Sequence, residues 1–219
     1  PTVFNAALHN MQFWDGRAKT IEEQAGMPIL NPDEMAIPHK GFLVTRLHKD
    51  TGYHKLFVSA FPGEPEPVRF ANVRKAIGAF ERTLLTPSRL DKFMDGDVTA
   101  LYTDEKAGLK IFIDAGCVSC HNGVGIGGGT LSQFGIYTDY RTLTHSRLDD
   151  EGRLLVTGEN ADRDVFKVPG LRNVDKTYPY FHDGSIASLD SSIQIMAKAQ
   201  LNKTLSGEEV RNIVAFLKT

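Results

Sequence analysis

The chain has 219 residues, 41% of them hydrophobic and 24% charged, which is typical of a soluble globular protein with one large or two small domains. Its 25 lysines and arginines against 27 aspartates and glutamates give a formal net charge of −2, which provides no nucleic-acid-binding surface. No apolar run approaches the length of a membrane-spanning helix.

The N-terminal part of the chain predicts one short helix and then an irregular loop. Thr20 and Glu23 form a T-x-x-E capping box, which opens a helix that we expect to end near Gly26. Pro28, Pro32 and Pro38 follow at short intervals. They predict a loop over residues 28–40.

A second helix is predicted between Pro67 and about Leu85. Its apolar residues recur at helical spacing, and Pro87 ends the pattern. The predicted core face consists of Val73, Ile77, Phe80 and Leu84.

The C-terminal part predicts three further helices around a long loop. Thr103 caps the first, which ends near Gly116, and the loop of residues 122–187 holds a short hairpin within 130–144. A helix over residues 188–199 follows, and Ser206 opens the last helix through a capping box with Glu209. We therefore expect a mainly α fold with long irregular loops.

The pentapeptide Cys117-Val-Ser-Cys120-His121 is the most informative motif of the chain. A C-x-x-C-H run is typical of covalent c-type haem attachment, with the two thiols bonded to the porphyrin vinyl groups and the histidine bound to the iron. The alternatives are a zinc site and a thioredoxin-like redox pair. Both fit less well, because the chain has only two cysteines and no βαβ pattern surrounds them.

The sixth iron ligand is predicted from the positions of methionine and histidine. Met196 is the only methionine after the haem motif and precedes the closing helix, where small c-type cytochromes bring their axial methionine. His145 and His182 are the alternative ligands, and an ordinary core methionine is the alternative role for Met196. Ligation by histidine and methionine raises the reduction potential and favours electron transfer.

Gly123-Val-Gly125-Ile-Gly127-Gly128 matches the nucleotide-binding pattern G-x-G-x-x-G. We reject that interpretation because the motif needs a strand before it and a helix after it. We expect these glycines to let the backbone wrap closely around the porphyrin edge.

The cellular compartment follows from the haem motif. Covalent haem c is attached outside the bacterial inner membrane, so Cys117 and Cys120 predict the periplasm. The chain begins at Pro1 without an initiator methionine or a signal peptide, and we expect it to be a processed or truncated product.

Several strings along the chain, in the same order, resemble the bacterial dihaem cytochrome c peroxidases. They are Pro1-Thr2-Val3-Phe4-Asn5-Ala6, Phe13-Trp14-Asp15-Gly16-Arg17, Glu23-Gln24-Ala25, Glu34-Met35, the haem motif, Phe166-Lys-Val-Pro169-Gly-Leu-Arg172-Asn173, Thr177-Tyr-Pro179-Tyr180-Phe181-His182-Asp183-Gly184 and Met196-Ala-Lys-Ala-Gln200-Leu201. The resemblance implies two cytochrome c-like domains, of which residues 1–98 are the remainder of the peroxidatic one and residues 99–219 the electron-transfer one.

The resemblance also implies an activity and a division of labour between two haems. Such enzymes reduce hydrogen peroxide to water with electrons from a small c-type cytochrome or a cupredoxin. The haem on Cys117 and Cys120 would be the high-potential one, with His121 and Met196 as axial ligands. The attachment motif of the peroxidatic haem would lie upstream of Pro1, so we expect these 219 residues alone to be inactive.

Three residues are implied as catalytic. Gln24 and Glu34 match the glutamine and glutamate that the family places over the peroxidatic iron, where Glu34 would shuttle a proton and Gln24 position peroxide. Trp14, by resemblance between the two haems, has electronic coupling and interface packing as equal alternatives. Arg17 and Arg172 suit haem propionates or nearby carboxylates.

The family also implies a calcium ion, held here by the backbone carbonyls of Thr177 and Pro179. The asparagine ligand would precede Pro1, so the resemblance implies that residues 1–219 hold only part of this calcium site. A homodimer is implied as well.

Two other functions stay open. A monohaem electron carrier would leave Trp14, Gln24 and Glu34 without a catalytic role. A dihaem enzyme that oxidises a protein partner, similar to the methylamine dehydrogenase maturation enzyme, would use a tyrosine ligand such as Tyr178 or Tyr180 in place of Met196.

Overall fold

The computed structural model describes residues 2–219, so Pro1 lies outside the described part. The fold is mainly α, as predicted. Its helices are α1 Ile21–Leu30, α2 Lys40–Lys49, α3 Thr51–Ala60, α4 Phe70–Glu81, α5 Arg89–Met94, α6 Thr103–Ala115, α7 Tyr140–Thr144, α8 Leu154–Thr157, α9 Leu189–Leu201 and α10 Gly207–Leu217, and its strands are β1 Leu131–Gln133 and β2 Val165–Lys167. No helix of residues 2–219 is both long and apolar enough to cross a membrane.

Helix α1 begins where the capping box predicts and ends later than predicted. The Thr20 hydroxyl accepts a hydrogen bond from the Glu23 backbone N–H at 3.1 Å. The helix continues to Leu30 with Pro28 inside it, so the expected end near Gly26 and the loop from residue 28 were wrong. Pro28 lies in the last turn, where its missing N–H removes a single helical bond. The irregular segment therefore spans residues 31–39.

Helix α4 confirms the second predicted helix, with a shorter span and a different buried face. Val73 is buried in a cluster with Ile29, Phe57 and Val68. Phe80 is 63% exposed, so its place on the predicted core face was wrong. Helix α1 covers α4 at Gly78, where an added Cβ would meet the Glu22 side chain. The buried face thus turns toward Gly78 and away from Phe80.

The C-terminal core forms where α6 and α10 cross. Its buried residues are Leu90, Leu101, Phe112, Ile213 and Phe216. A Cβ on Gly108 of α6 would collide with the backbone of Asn212, so only glycine permits this close approach. The Ser206 capping box is confirmed, because the Glu209 carboxylate accepts from the Ser206 N–H at 2.7 Å.

Two strands lie within the long segment before α9, but they do not form the predicted hairpin. Strand β1 pairs antiparallel with β2, and Leu131 lies opposite Lys167. Residues 140–144, within the expected hairpin, form α7. Three-residue strands are too short for an alternating pattern, and their partners are more than thirty residues apart, so local sequence could not indicate this pairing.

The N-terminal segment of the chain packs against its C-terminal half. The Lys167 N–H donates to the Trp14 carbonyl at 2.6 Å, and Arg153 Nη1 donates to the Asp15 carbonyl at 3.1 Å. Leu90 of α5, which precedes the predicted boundary at residues 98/99, belongs to the C-terminal core. The boundary itself stays a prediction.

Candidate haem site

A cavity of about 500 Å³ lies in the C-terminal half of the fold. Segments distant in sequence form its walls: residues from the N-terminal segment, the C-x-x-C-H turn, β2 and the loop after it, and α9. Its size falls within the roughly 300–1,000 Å³ typical of sites for small molecules and cofactors. The cavity can therefore take an organic cofactor.

The cysteine motif lies at the wall of this cavity because α6 ends just before it. Gly116 terminates the helix with φ of 96°, a left-handed conformation that glycine adopts without strain. The chain then turns so that the His121 N–H donates to the Cys117 carbonyl at 3.0 Å. Cys117, Cys120 and His121 all line the cavity, and both cysteines are free.

The local chemistry of this motif departs from a redox-active thiol pair. Burial raises the pKa of the Cys117 thiol. Thioredoxin-like cysteines have a lowered pKa, because the thiolate is the reactive form. Residues 2–219 also contain no group of three or more His, Cys, Asp or Glu side chains arranged to hold a metal ion. The raised pKa of Cys117 therefore disfavours the thioredoxin-like alternative.

His121 is held as a neutral ring. Burial lowers its pKa to about 4, although nearby backbone groups of Pro169 and Ile126 act in the opposite direction. The ring packs against Phe112, with a centroid distance of 6.3 Å. A neutral imidazole is the form that ligates a metal.

Met196 lies on the cavity-facing side of α9. Ser192, Ile193, Met196, Ala197 and Gln200 of this helix line the same cavity, as their helical spacing requires. Of the two alternative ligands, His145 is exposed and does not line the cavity, whereas His182 does. His182 Nε2 lies 3.4 Å from the Tyr140 hydroxyl, so one of its two nitrogens is already occupied.

Aromatic side chains form a large part of the remaining wall. His182 stacks on Phe166 at a centroid distance of 4.0 Å, and Trp14 meets His182 edge-on at 6.4 Å. Trp14 thus lies in the cavity wall, as does Tyr180, while Tyr178 also lines the cavity but is 69% exposed.

The sequence analysis missed two polar residues of this wall, His9 and Lys167. Lys167 is only 2% exposed, and its Nζ lies 3.1 Å from His9 Nδ1. Both line the cavity. The signal was a lysine within the apolar run Val165-Phe166-Lys167-Val168, because a lysine there is buried if the strand is internal.

Gln24 and Glu34 lie outside the cavity. Gln24 is half-buried in α1, and Glu34 is exposed in the segment after it. The Glu34 carboxylate accepts a hydrogen bond from Asn31 Nδ2 at 2.7 Å. The segment is fastened to α1, since the Met35 N–H donates to the Pro28 carbonyl at 3.1 Å and the Ile37 N–H to the Ile29 carbonyl at 3.0 Å. These hydrogen bonds therefore hold the backbone around Glu34 in place, but Glu34 does not share the cavity with the residues of the haem motif.

Arg17 and Arg172 pair with carboxylates of this chain. Arg17 Nη1 lies 2.7 Å from Asp15 Oδ2, and Arg172 Nη1 lies 2.9 Å from Asp91 Oδ2 in a two-pronged pair. The Arg172 guanidinium holds the pKa of Asp91 at about 2. Neither arginine lines the cavity, so of their two expected roles the structure supports the carboxylate pairing.

Thr177 and Pro179 are exposed residues that also line the cavity.

The glycine segment was expected to wrap around the edge of the porphyrin. That expectation was wrong, because none of Gly123, Gly125, Gly127 and Gly128 lines the cavity. A Cβ on Gly127 would collide with the Pro169 carbonyl, and one on Gly128 with the His9 ring. These glycines permit close packing behind the cavity wall. They precede β1 and no helix, which confirms the rejection of a nucleotide motif.

These observations fit a covalently attached haem. Two free thiols, a neutral imidazole and a thioether all face one cofactor-sized cavity with mostly apolar walls. In this arrangement Cys117 and Cys120 would form the thioether bonds, and His121 and Met196 could approach the iron.

Two family models match successive parts of the chain. Residues 1–99 match the family model for di-haem cytochrome c peroxidase, and residues 105–219 match that for cytochrome c. The chain is 45% identical to the cytochrome c551 peroxidase of Nitrosomonas europaea, covering 100% of this chain and 64% of that protein. It is 41% identical to the cytochrome c peroxidase of Escherichia coli, covering 99% and 46%.

A solved structure with a similar fold is that of a MauG-like protein associated with microbial copper homeostasis. The TM-score is 0.82 at 28% identity, covering 100% of this chain and 73% of that one. This chain spans 64% and 46% of the lengths of the two curated relatives. The chain belongs to the di-haem cytochrome c peroxidase family: that family's model matches residues 1–99, the cytochrome c model matches residues 105–219, and curated cytochrome c peroxidases are 41–45% identical along the chain.

Proposed function

We propose that this chain is the electron-transfer half, with part of the peroxide-site shell, of an enzyme that reduces hydrogen peroxide to water. The observation that carries the proposal is the convergence of Cys117, Cys120, His121 and Met196 on one cavity in a chain of this family. A haem bound there supplies one-electron transfer.

The protein's own residues would fix that haem and set its potential. Cys117 and Cys120 would hold it covalently, His121 and Met196 would be its protein ligands, and the apolar wall would exclude water. A thioether ligand and a dry pocket both favour the reduced state and raise the reduction potential. A haem at this site would therefore be suited to accept electrons from a small c-type cytochrome or a cupredoxin.

Peroxide reduction would take place at a second haem, which would be attached to a part of the protein outside these 219 residues. The support is that both cysteines of the sequence belong to the single C-x-x-C-H motif. Each peroxide takes up two electrons and two protons and yields two waters. Glu34 would move a proton from one peroxide oxygen to the other, and the Gln24 amide would orient the substrate.

Trp14 is proposed to connect the two halves, since it lies in the cavity wall on the N-terminal segment. Thr177 and Pro179 are proposed to contribute carbonyls to a calcium site completed by other ligands. We also propose a periplasmic location, where haem c is attached, and a homodimer. We place the boundary between the two cytochrome c-like domains at residues 98/99.

The test is the haem count and peroxidase activity of the full-length protein produced with cytochrome c maturation. We expect two covalent haems by intact mass and peroxide turnover with a reduced small cytochrome as donor. One haem without turnover would instead identify a monohaem electron carrier.

A second candidate is a dihaem enzyme that oxidises a protein partner. It is favoured by the likeness to a MauG-like structure and by Tyr180, which is buried in the cavity wall. Mutating Tyr180 to Phe separates the two, because only a tyrosine ligand would change the haem spectrum on this substitution.

A further inference from the structure

The cavity wall contains a buried ammonium group for which the described chain supplies no counter-ion. Lys167 in β2 is 2% exposed, and its Nζ lies 3.1 Å from His9 Nδ1. None of the ion pairs formed within residues 2–219 includes Lys167. A buried charge without a partner is unfavourable, so this position calls for an anion.

The histidine beside Lys167 cannot be that anion. Burial and the neighbouring Lys167 charge lower the pKa of His9 to about 4, so its ring is neutral and accepts a hydrogen bond. Burial also lowers the pKa of Lys167 to about 8, as expected for an ammonium without compensation. The two arginines suited to a cofactor carboxylate are already paired, Arg17 with Asp15 and Arg172 with Asp91.

The position of the pair is fixed by backbone packing. The Lys167 N–H is bonded to the Trp14 carbonyl, and the His9 ring lies against Gly128 and Gly170, where a Cβ would clash with it. Both residues line the cavity, so the Lys167 ammonium lies at its wall beside the His9 ring.

We propose that Lys167, oriented by His9, binds a propionate carboxylate of the haem in this cavity. This inference depends on the proposed occupancy of the cavity by a covalent haem. The ion pair would neutralise a buried carboxylate and, through its positive charge, favour the ferrous over the ferric state. His9 acts as a positioning residue for the ammonium.

The test is the reduction potential of the haem at Cys117 and Cys120 in the full-length, haem-loaded protein. Lys167→Gln removes the charge, and we expect the equilibrium with a reference redox dye to shift about tenfold toward the ferric form, equivalent to about 59 mV for one electron. Lys167→Arg keeps the charge and should stay within about threefold. Lys110→Gln, on the exposed surface of α6, is the matched control and should leave the equilibrium unchanged.

An unchanged potential in Lys167→Gln with full haem content would overturn the inference. If that variant fails to fold, infrared difference spectra of the unmodified protein with ¹³C-labelled propionates decide. An ion-paired band that is insensitive to exchanging chloride for phosphate supports the pair, and bands of purely water-exposed carboxylates, or a band that follows the buffer anion, overturn it. Absence of haem from the unmodified protein would instead defeat the proposed function.

Discussion

The sequence indicates two groups of candidate functional residues, and they differ in whether the fold brings them together at one cavity. Cys117, Cys120, His121 and Met196 come from two distant segments and line one cavity. Gln24 and Glu34 lie ten residues apart along the chain, yet neither lines that cavity, and Glu34 is exposed. The residues of the proposed haem site are therefore brought together within residues 2–219, whereas Gln24 and Glu34 are not brought to that cavity.

The largest expected effect tests the assembled site. Replacing both Cys117 and Cys120 with alanine should remove one covalent haem completely from the full-length protein, because no other thiol of residues 1–219 can replace them. Intact mass and the pyridine haemochrome spectrum measure the loss. Ser119→Ala, in the same turn, is the control and should retain full haem content. Unchanged haem content in the double variant would break the assignment of the cavity.

The next effect tests the other group. Glu34→Gln in the full-length enzyme should lower peroxide turnover by about 10²- to 10⁴-fold, the usual contribution of a general acid-base residue, with both haem spectra intact. Asp33→Asn alters the neighbouring exposed carboxylate and should leave turnover within about twofold. If Glu34→Gln turns over peroxide normally, Glu34 is a solvated surface residue without a catalytic role.

Met196→His tests the axial ligand on α9. We expect the potential of this haem to fall by on the order of 100 mV, a fraction of the roughly 0.8 V range that axial ligands span. A redox titration followed by absorption measures it, with Met35→Leu as the control at an exposed methionine. A potential unaffected by Met196→His would transfer the ligand assignment to His182.

The contribution of packing to the free energy of unfolding can be compared between the C-terminal core and helix α4. Phe216→Ala, in the core beside the cavity, should lower the free energy of unfolding by about 3–5 kcal/mol, because Phe216 is 2% exposed. Phe80→Ala on α4 should change it by less than about 0.5 kcal/mol, since Phe80 is 63% exposed. Urea unfolding of the haem-loaded protein measures both. A large effect at Phe80 would reveal a covering surface on that side of the molecule.

The smallest effect concerns the Arg172–Asp91 pair behind the haem site. Because the folded pKa of Asp91 is lowered from 3.8 to about 2, its contribution to stability is fully present above about pH 4 and is lost as the pH falls through 2. Unfolding at pH 5 and pH 2.5 should therefore show a larger loss for the unmodified protein than for Asp91→Asn. Equal losses would mean that solvent screening cancels the pair.

The sequence by itself indicated the candidate haem motif and five of the helices described above, α1, α4, α6, α9 and α10. The C-x-x-C-H motif is a pattern of adjacent residues, and the N-caps at Thr20 and Ser206 act within one helical turn, so both are local. Local features of this kind can be predicted from the sequence alone. The end of α1 was misjudged, because a proline in the last helical turn removes only one hydrogen bond and does not stop the helix.

Only the tertiary structure decided which residues meet across the chain. The pairing of β1 with β2, the exposure of Phe80 and the contact of His9 with Lys167 each depend on segments far apart in sequence. Burial of Lys167 is the clearest case, since a lysine is expected at the surface until its neighbours are known. Periodicity and motifs report interactions within a few residues, whereas the cavity wall is set by long-range packing, which local patterns do not encode.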